Sequence, residues 1–224
     1  MLCDNGGECK MNGTTQKYES NDASGFVSIS DIFPEALLDI RYYTSFNFTG
    51  ARVDGYEQPI ALMTKEAATA LSEIGKQFME RGYLLRIYDA YRPVCAVRCF
   101  ERWAASDDIR MKPWFYPEVE KKDLFNLGFV AHDSAHCGGS TVDLTLFDMK
   151  KGVDVEMGGA FDYFGKQSHY DATGLTDSER QNRALLREVM VSGGFRPIQT
   201  EWWHFTLQDA PYSNVRFTFP VHAL

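Results

Sequence analysis

The chain has 224 residues, 44% of them hydrophobic, and a formal net charge of −8 at pH 7. This length and composition fit one globular domain of generous size or two small ones, and they exclude a mainly disordered chain. There is no basic cluster and no apolar stretch near the about 20 residues that span a bilayer, so we expect neither nucleic-acid binding nor membrane insertion.

Residues 1–25 are polar and rich in Gly, Asn, Ser and Thr, which predicts a flexible tail ahead of one folded domain at residues 26–224. This segment lacks the apolar core of a secretory signal. We therefore expect a cytoplasmic protein, with a periplasmic or organellar location as the alternative if an export signal has been removed.

The five cysteines are scattered along the chain, and an odd number without a dense framework argues against a small disulfide-stabilised scaffold. Cys95 and Cys99 lie four residues apart on a predicted helix, where they are poorly placed to bridge each other. A bond from Cys3 or Cys9 to that helix is one interpretation, and free thiols in a reducing compartment are the other.

Periodicity and turn residues predict, in chain order, a short strand from residue 26, a strand over 38–43, a helix over 64–81, a strand over 83–88, a helix over 93–105, a strand over 141–147, a helix over 176–192 and a strand over 202–207. Thr64 suits an N-cap, Gly82 suits the end of the helix behind it, and residues 176–179 form a capping-box pattern. Because the order is not βαβ, we expect an α+β fold with a central, mainly antiparallel sheet flanked by helices.

Two short motifs offer the ligands of a catalytic metal ion. His136 precedes Asp143 by seven residues across a Gly-rich turn, and His204 lies near the C-terminus. Two imidazoles and one carboxylate leave a fourth position open, as in catalytic zinc sites, although the same donors also suit iron. Glu201 offers a base for water. Since Glu201 and His204 would face opposite ways in a regular strand, we expect a turn or bulge near Trp202.

Asp143 belongs to the predicted strand over 141–147, whose hydrophobic residues alternate with polar ones. That alternation predicts a half-buried strand with Asp143 on the more polar face. The alternative without a metal is that these histidines are ordinary polar residues of a folded domain. A single histidine in a strand is more often such a residue than a metal ligand.

The pattern Ser134-x-His136-x-x-Gly139-x-x-x-Asp143, followed by Glu201-x-x-His204, resembles that of the zinc D-alanyl-D-alanine peptidases, and most of all the D-Ala-D-Ala dipeptidases of the VanX type. Further segments resemble that family in the same order along the chain: 47–50, 53–56, 89–93, 157–162, 178–183, 211–214 and 219–221. Collinear agreement from about residue 26 to residue 221 is more specific than one motif. It implies a zinc peptidase with one Zn²⁺ per chain in a cleft on the sheet.

The resemblance also implies catalytic roles for residues of this chain. The zinc ligands would be His136, Asp143 and His204. Glu201 would be the catalytic base, and Arg92 would stabilise the charge that develops on the scissile carbonyl oxygen, because a guanidinium is always charged and has rigid geometry.

On the substrate side, the resemblance places Asp162 against the free ammonium group of the dipeptide, a natural pairing of opposite charges. Tyr42, Tyr56 and Ser134 would lie around the same end of the substrate.

The chain departs from the family pattern beside the first zinc ligand. Ala135 stands where a second serine is common, which removes a hydroxyl near the metal. Cys137 is unusual after His136. Its thiolate could reach the ion and block the open position, but we favour a bystander, since adjacent side chains in an extended loop diverge.

The implied activity is zinc-dependent hydrolysis of D-Ala-D-Ala to free D-alanine in cell-wall precursor metabolism, either for glycopeptide antibiotic resistance or for D-alanine recycling. One alternative is a D,D-carboxypeptidase acting on peptidoglycan stem peptides. Segments 53–56 and 161–162 look like the dipeptidase form and argue against it. A second alternative is a non-catalytic, zinc-stabilised binding module. It predicts loss of Glu201 or Arg92, and both are present.

Overall fold

The structure is a computed structural model that describes residues 17–224. Within this part of the chain the strands are β1 (Tyr18–Ser20), β2 (Phe26–Ser28), β3 (Leu37–Leu38), β4 (Leu62–Thr64), β5 (Tyr83–Asp89), β6 (Thr141–Asp148), β7 (Val153–Asp154), β8 (Phe195–Pro197), β9 (His204–Leu207) and β10 (Val215–Phe217). The helices are α1 (Ile29–Ile32), α2 (Lys65–Glu80), α3 (Val94–Ala104), α4 (Lys112–Phe115) and α5 (Asp177–Ser192). Short 3₁₀ turns lie at Arg41–Tyr43, Lys121–Asp123, Ala135–Gly138 and Lys166–Ser168.

The central sheet has the strand order β3-β5-β6-β9-β8, and β7 pairs with β6 outside that order. β3 pairs with β5 in parallel, while every other pair in this sheet is antiparallel. Helix α2 packs on β5, and α5 packs on β8. The predicted α+β fold with a mainly antiparallel sheet flanked by helices is confirmed.

Strand β6 lies at the centre of this sheet and is buried on both faces from Thr141 to Leu146. The apolar face carries Val142 and Leu144, as the alternation predicts. The polar face is also covered, because the loops around the cleft pack over Asp143. The prediction of a half-buried strand is therefore wrong about the polar face.

Local signals place the helix ends correctly. The Thr64 hydroxyl accepts a hydrogen bond from the backbone N–H of Ala67 at the start of α2. Thr176 and Glu179 form the predicted capping box of α5, each side chain accepting from the other residue's backbone N–H. Such reciprocal bonds satisfy two N–H groups that the first helical turn leaves unpaired.

Two predicted boundaries are wrong. The strand over 38–43 shortens to β3 and gives way to the 3₁₀ turn at Arg41–Tyr43. The strand over 202–207 begins only at His204, because residues 202 and 203 form a turn.

Part of the N-terminal segment expected to be a flexible tail forms a strand. β1 pairs with β10 in parallel, with Tyr18 opposite Val215. Residues 1–16, and with them any bond from Cys3 or Cys9, lie outside the described residues. Cys95 and Cys99 are not joined to each other by a disulfide. In residues 17–224, no helix combines the length and apolar character needed to cross a bilayer.

Candidate metal centre and active site

The three predicted metal ligands converge in the structure. One ligand atom from each of His136, Asp143 and His204 lies within 4.8 Å of the others. The two Asp143 oxygens lie 3.2 Å from His136 Nε2 and 3.1 Å from His204 Nδ1, and the two ring nitrogens are 3.3 Å apart. Three donor atoms at these separations can be bound by one ion.

Sheet register and one tight turn produce this convergence. Asp143 in β6 is paired directly with His204, the first residue of β9. His136 lies in the 3₁₀ turn that precedes β6, and Gly139 ends that turn at a φ of +75°. A side chain at Gly139 would strain this backbone and collide with the Phe26 ring. The Gly-rich turn therefore lets the chain fold back and bring His136 to Asp143.

The surroundings of the ligands fit a cation. His136 Nδ1 lies 2.7 Å from the Ala90 carbonyl oxygen, so Nδ1–H donates to it and Nε2 is directed to the cluster. Asp143 Oδ1 is buried and lies 3.1 Å from His204 Nδ1, but it accepts no well-aligned hydrogen bond among the described residues. Burial alone would raise the pKa of Asp143, but the neighbouring His136 and His204 hold it below its usual range. Two imidazoles and an ionised carboxylate suit Zn²⁺ with an open position.

Glu201 lies beside this cluster, with Oε2 3.4 Å from His204 Nδ1. The turn at residues 202 and 203 lets both side chains face the cleft, as predicted. Burial raises the pKa of Glu201 to about 7, an effect that His204 opposes and Asp143 reinforces. A carboxyl group with such a pKa can accept and return a proton near neutral pH.

Arg92 borders the same cluster and is held by Asp89. Its Nε donates to Asp89 Oδ2 at 3.0 Å, and NH2 lies 2.9 Å from the same oxygen. The guanidinium is 3.7 Å from Asp143 Oδ2 and 4.9 Å above the ring of Tyr42. These contacts fix a cation at the edge of the metal centre.

Asp162 supplies a third carboxyl group to the cleft, after Asp143 and Glu201. Its Oδ2 accepts a hydrogen bond from the Tyr42 hydroxyl at 2.9 Å, and no cationic side chain of residues 17–224 forms an ion pair with it. Its pKa is raised well above the usual range by burial and by the nearby Asp143. Asp162 is also the one non-glycine residue of the described chain with a positive φ, +59°. A buried carboxylate without a cation is suited to an ammonium group.

Ser134 and Tyr56 occupy different positions. Ser134 lines the cleft, where its Oγ accepts from the backbone N–H of His136 at 3.3 Å and from Arg92 at 3.5 Å. Tyr56 does not line the cleft, because its hydroxyl donates to Asp89 Oδ1 at 2.6 Å behind Arg92. The structure thus does not bring Tyr56 to the expected place around the substrate.

Asp89 is the site residue that the sequence analysis missed. It is fully buried, and its two oxygens bind Arg92 and Tyr56, with Oδ2 also 3.5 Å from His136 Nδ1. Burial raises its pKa, and Arg92 and His136 oppose that shift. The available signal was its position three residues before Arg92 in segment 89–93.

The cleft that collects these groups is small, with a volume of about 150 Å³. Pockets for drug-sized ligands are typically about 300–1,000 Å³. Aromatic side chains form much of its wall: Phe48, Phe100, Phe129 and Phe164. The predicted metal donors, Glu201, Arg92 and Asp162 all line this one space.

Ala135 and Cys137, the two residues that depart from the family pattern, lie in different positions relative to the cleft. Ala135 lines the cleft, whereas Cys137 does not and is not part of the group of metal donors. Burial raises the pKa of the Cys137 thiol to about 11, so it is protonated at neutral pH. This placement supports the interpretation of Cys137 as a bystander.

Known proteins resemble the chain over most of its length. A family model described as D-ala-D-ala dipeptidase matches residues 22–222. A D-alanyl-D-alanine dipeptidase of Enterococcus faecalis is 42% identical over 199 residues, covering 88% of this chain and 98% of that protein. Its counterpart from Enterococcus faecium is 40% identical with the same coverage. One from Escherichia coli is 34% identical, covering 85% of this chain and 88% of that protein.

Proposed function

We propose that this chain, which belongs to the D-Ala-D-Ala dipeptidase family, acts on the free dipeptide with one Zn²⁺ held by His136, Asp143 and His204. Its activity is hydrolysis of D-Ala-D-Ala. The observation that carries this proposal is the joint placement of the metal donors and an unpaired Asp162 carboxylate in one small cleft. Metal donors together with a carboxylate that can pair with an ammonium group suit a short zwitterion.

The zinc-binding role is supported by the geometry of the donors and by the buried Asp143 Oδ1, which accepts no hydrogen bond among the described residues. When bound, Zn²⁺ supplies Lewis-acid chemistry that makes water nucleophilic near neutral pH and polarises a carbonyl group. The chain's contribution is to hold His136 in one tautomer through the Ala90 carbonyl and to keep Asp143 ionised.

Glu201 is the proposed general base and acid. Its carboxylate accepts a proton from the attacking water as the new bond to the peptide carbon forms. It then returns that proton to the leaving nitrogen as the peptide C–N bond breaks, which releases two molecules of D-alanine. Its position next to His204 and its pKa of about 7 suit both transfers.

Arg92 is the proposed donor to the developing oxyanion. Its guanidinium already lies 3.7 Å from a metal-ligand oxygen, and Asp89 holds its orientation. A donor that needs no reorganisation during the reaction stabilises the transition state more than the ground state.

Asp162 is the proposed partner of the substrate ammonium group, and the Tyr42 hydroxyl orients the carboxylate by donating to it. Formation of this pair would lower the raised pKa of Asp162, because a cation favours the ionised carboxyl. A dipeptide with a free amine would gain this interaction, while an acylated peptide would leave the carboxylate without a cation.

The alternatives fit the cleft less well. A D,D-carboxypeptidase must accept a stem peptide that continues past the scissile residue, and a volume of about 150 Å³ leaves little room for one. A binding module has no use for a base and an oxyanion donor, yet Glu201 and Arg92 both face the metal donors. We also propose a cytoplasmic location, since free D-Ala-D-Ala is made there, with either antibiotic resistance or D-alanine recycling as the role.

The proposal is tested by measuring release of D-alanine from D-Ala-D-Ala by the full-length, zinc-loaded protein. L-Ala-L-Ala and N-acetyl-D-Ala-D-Ala serve as parallel substrates. We expect turnover of the free D,D-dipeptide alone, and its loss on chelation with recovery on adding Zn²⁺. Efficient cleavage of the acetylated substrate would replace the proposal with the carboxypeptidase alternative, and absence of all turnover with zinc bound would favour the binding module.

A further inference from the structure

Arg183 is a buried cation that the proposed mechanism does not use. It lies in α5 within segment 178–183, and only 1% of the residue is exposed. No carboxylate of residues 17–224 forms an ion pair with it, and burial lowers its pKa only to about 10, so it stays charged. A buried charge is costly unless the surrounding groups compensate it.

Backbone carbonyl groups of one loop compensate the charge of Arg183. Its Nε donates to the Met157 carbonyl oxygen at 2.5 Å, NH1 to that of His169 at 2.5 Å, and NH2 to that of Gln167 at 2.9 Å. The neighbouring Asn182 donates through Nδ2 to the carbonyl oxygen of Glu156 at 2.9 Å. All four acceptors belong to residues 156–169, which we call the clamped loop.

The clamped loop has little structure of its own to satisfy these carbonyl groups. Apart from the 3₁₀ turn at Lys166–Ser168 it contains neither helix nor strand. A buried carbonyl without a donor costs free energy comparable to a lost hydrogen bond. The guanidinium group of Arg183 donates hydrogen bonds to carbonyl groups at both ends of the loop, at residue 157 and at residues 167 and 169.

The clamped loop carries Asp162 into the cleft. Asp162 lies between the two clamped ends, and its φ of +59° is a conformation that is costly without surrounding support. Phe161 before it packs against Trp203 at a centroid distance of 5.4 Å. The loop conformation, and with it the position of the Asp162 carboxylate, therefore depends on contacts from outside the loop.

We propose that Arg183, assisted by Asn182, is a positioning residue for substrate recognition: it holds the clamped loop so that Asp162 faces the ammonium group of the dipeptide. This inference rests on the proposed role of Asp162. It deepens that role by naming the group that sets where the carboxylate lies.

The hydrogen bonds of the Arg183 side chain go to the clamped loop and not to the elements that carry the metal donors, so its positioning role can be tested apart from general support of the fold. The metal donors lie on β6, β9 and the 3₁₀ turn at Ala135–Gly138, and Arg183 donates to none of these elements. Its guanidinium does lie 5.8 Å from the ring centroid of Trp202, in the turn before β9, and the Trp202 backbone N–H donates to the Ser168 carbonyl oxygen of the clamped loop at 3.0 Å. Loosening the clamped loop should therefore weaken binding of the substrate amine while the zinc site keeps its affinity. A defect spread through the whole fold would lower both.

The test compares Arg183→Lys with Arg180→Lys in the full-length, zinc-loaded protein. Lysine keeps the charge but cannot reach three carbonyl groups with a rigid fork. Arg180 lies on the same helix, is exposed and, among residues 17–224, forms an ion pair with Asp177 alone, so it is a matched control. We expect Arg183→Lys to raise KM for D-Ala-D-Ala by about tenfold or more, with a smaller change in kcat and unchanged zinc affinity. Arg180→Lys should match the unmodified protein.

Amide hydrogen exchange gives a readout that does not depend on activity. In Arg183→Lys, exchange over the clamped loop should accelerate by roughly tenfold while β6 stays protected. Faster loop exchange with an unchanged KM would overturn the proposal, and so would unchanged exchange or a parallel loss of zinc affinity.

If Arg183→Lys does not fold, Asn182→Ala serves as the second variant. It removes a single exposed hydrogen bond and should accelerate loop exchange and raise KM, as expected for Arg183→Lys. Absence of D-Ala-D-Ala turnover by the unmodified protein would reject the proposed function instead.

Discussion

Asp89 and Arg92 form a pair in which one carboxylate oxygen binds two guanidinium nitrogens, at 3.0 Å and 2.9 Å. The other oxygen of Asp89 accepts from the Tyr56 hydroxyl at 2.6 Å. Asp89 is fully buried, so this pair holds the guanidinium from the side away from the cleft. Orientation of the proposed oxyanion donor thus depends on a residue that does not line the cleft.

Replacing Asp89 should therefore lower the rate through Arg92. Asp89→Asn keeps the size of the side chain but loses the charge that orients the guanidinium. We expect kcat for D-Ala-D-Ala to fall by roughly 10²-fold, the lower end of the effect of losing an oxyanion donor. Steady-state kinetics at full zinc occupancy measure this. Tyr56→Phe removes only the second contact of Asp89 and should change kcat by a few-fold at most. A kcat close to that of the unmodified protein in Asp89→Asn would show that Arg92 needs no such support.

Glu201→Gln should separate metal binding from catalysis. Glutamine keeps the size of the side chain but cannot take a proton from water, so hydrolysis should fall by at least about 10²–10⁴-fold. Zinc content, measured on the purified protein by elemental analysis, should stay at one ion per chain because Glu201 is not a proposed ligand. Substantial remaining turnover would remove Glu201 as the base.

Zinc should stabilise the folded chain through the three donors. An ion that binds the native state at a concentration of 100 times its Kd adds about 2.7 kcal/mol to the free energy of unfolding. We therefore expect Zn²⁺ to raise the Tm of the metal-free protein. His204→Ala should abolish both this shift and the activity. An equal Tm shift in His204→Ala would overturn the ligand assignment.

The capping box of α5 should contribute to stability and little to activity. Thr176→Ala removes the hydroxyl that accepts from the Glu179 backbone N–H, which should lower the free energy of unfolding by about 1 kcal/mol. Denaturant titration measures the change. Thr176→Ser retains the acceptor and serves as the control. Turnover at 25 °C should be unaltered in both variants, since the cap lies outside the cleft.

Strand β1 lies outside the residues that match the family, which begin at residue 22. Its contacts include the short pairing with β10, hydrogen bonds from Thr218 to the Ser20 carbonyl oxygen and the exposed ion pair Glu19–Arg98. Exposed pairs of this kind contribute about 0–1 kcal/mol each. A chain lacking residues 1–20 should fold, bind zinc and hydrolyse D-Ala-D-Ala with a slightly lower Tm. Loss of folding would show that β1 is an essential part of the domain.

Short-range features of this protein were determined by the sequence alone. The N-cap Thr64, the capping box at Thr176 and the alternation in β6 each involve hydrogen bonds or periodicity within a few residues, so they are visible without the fold. The family motifs predicted His136 and Asp143 as metal donors in the same way, because the chemistry needs those residue types near one turn.

Only the tertiary structure decided the supporting contacts. Tyr56 reaches Asp89 across 33 positions of sequence, and Arg183 reaches the Met157 carbonyl across 26. No local period or cap encodes such pairs, since they depend on how β5 and α5 pack against the rest of the domain. The pairing of residues 18–20 with β10 is likewise set by a distant strand edge rather than by their polar composition. The proposed reactive groups thus lie in short sequence motifs, while their orientation comes from long-range packing.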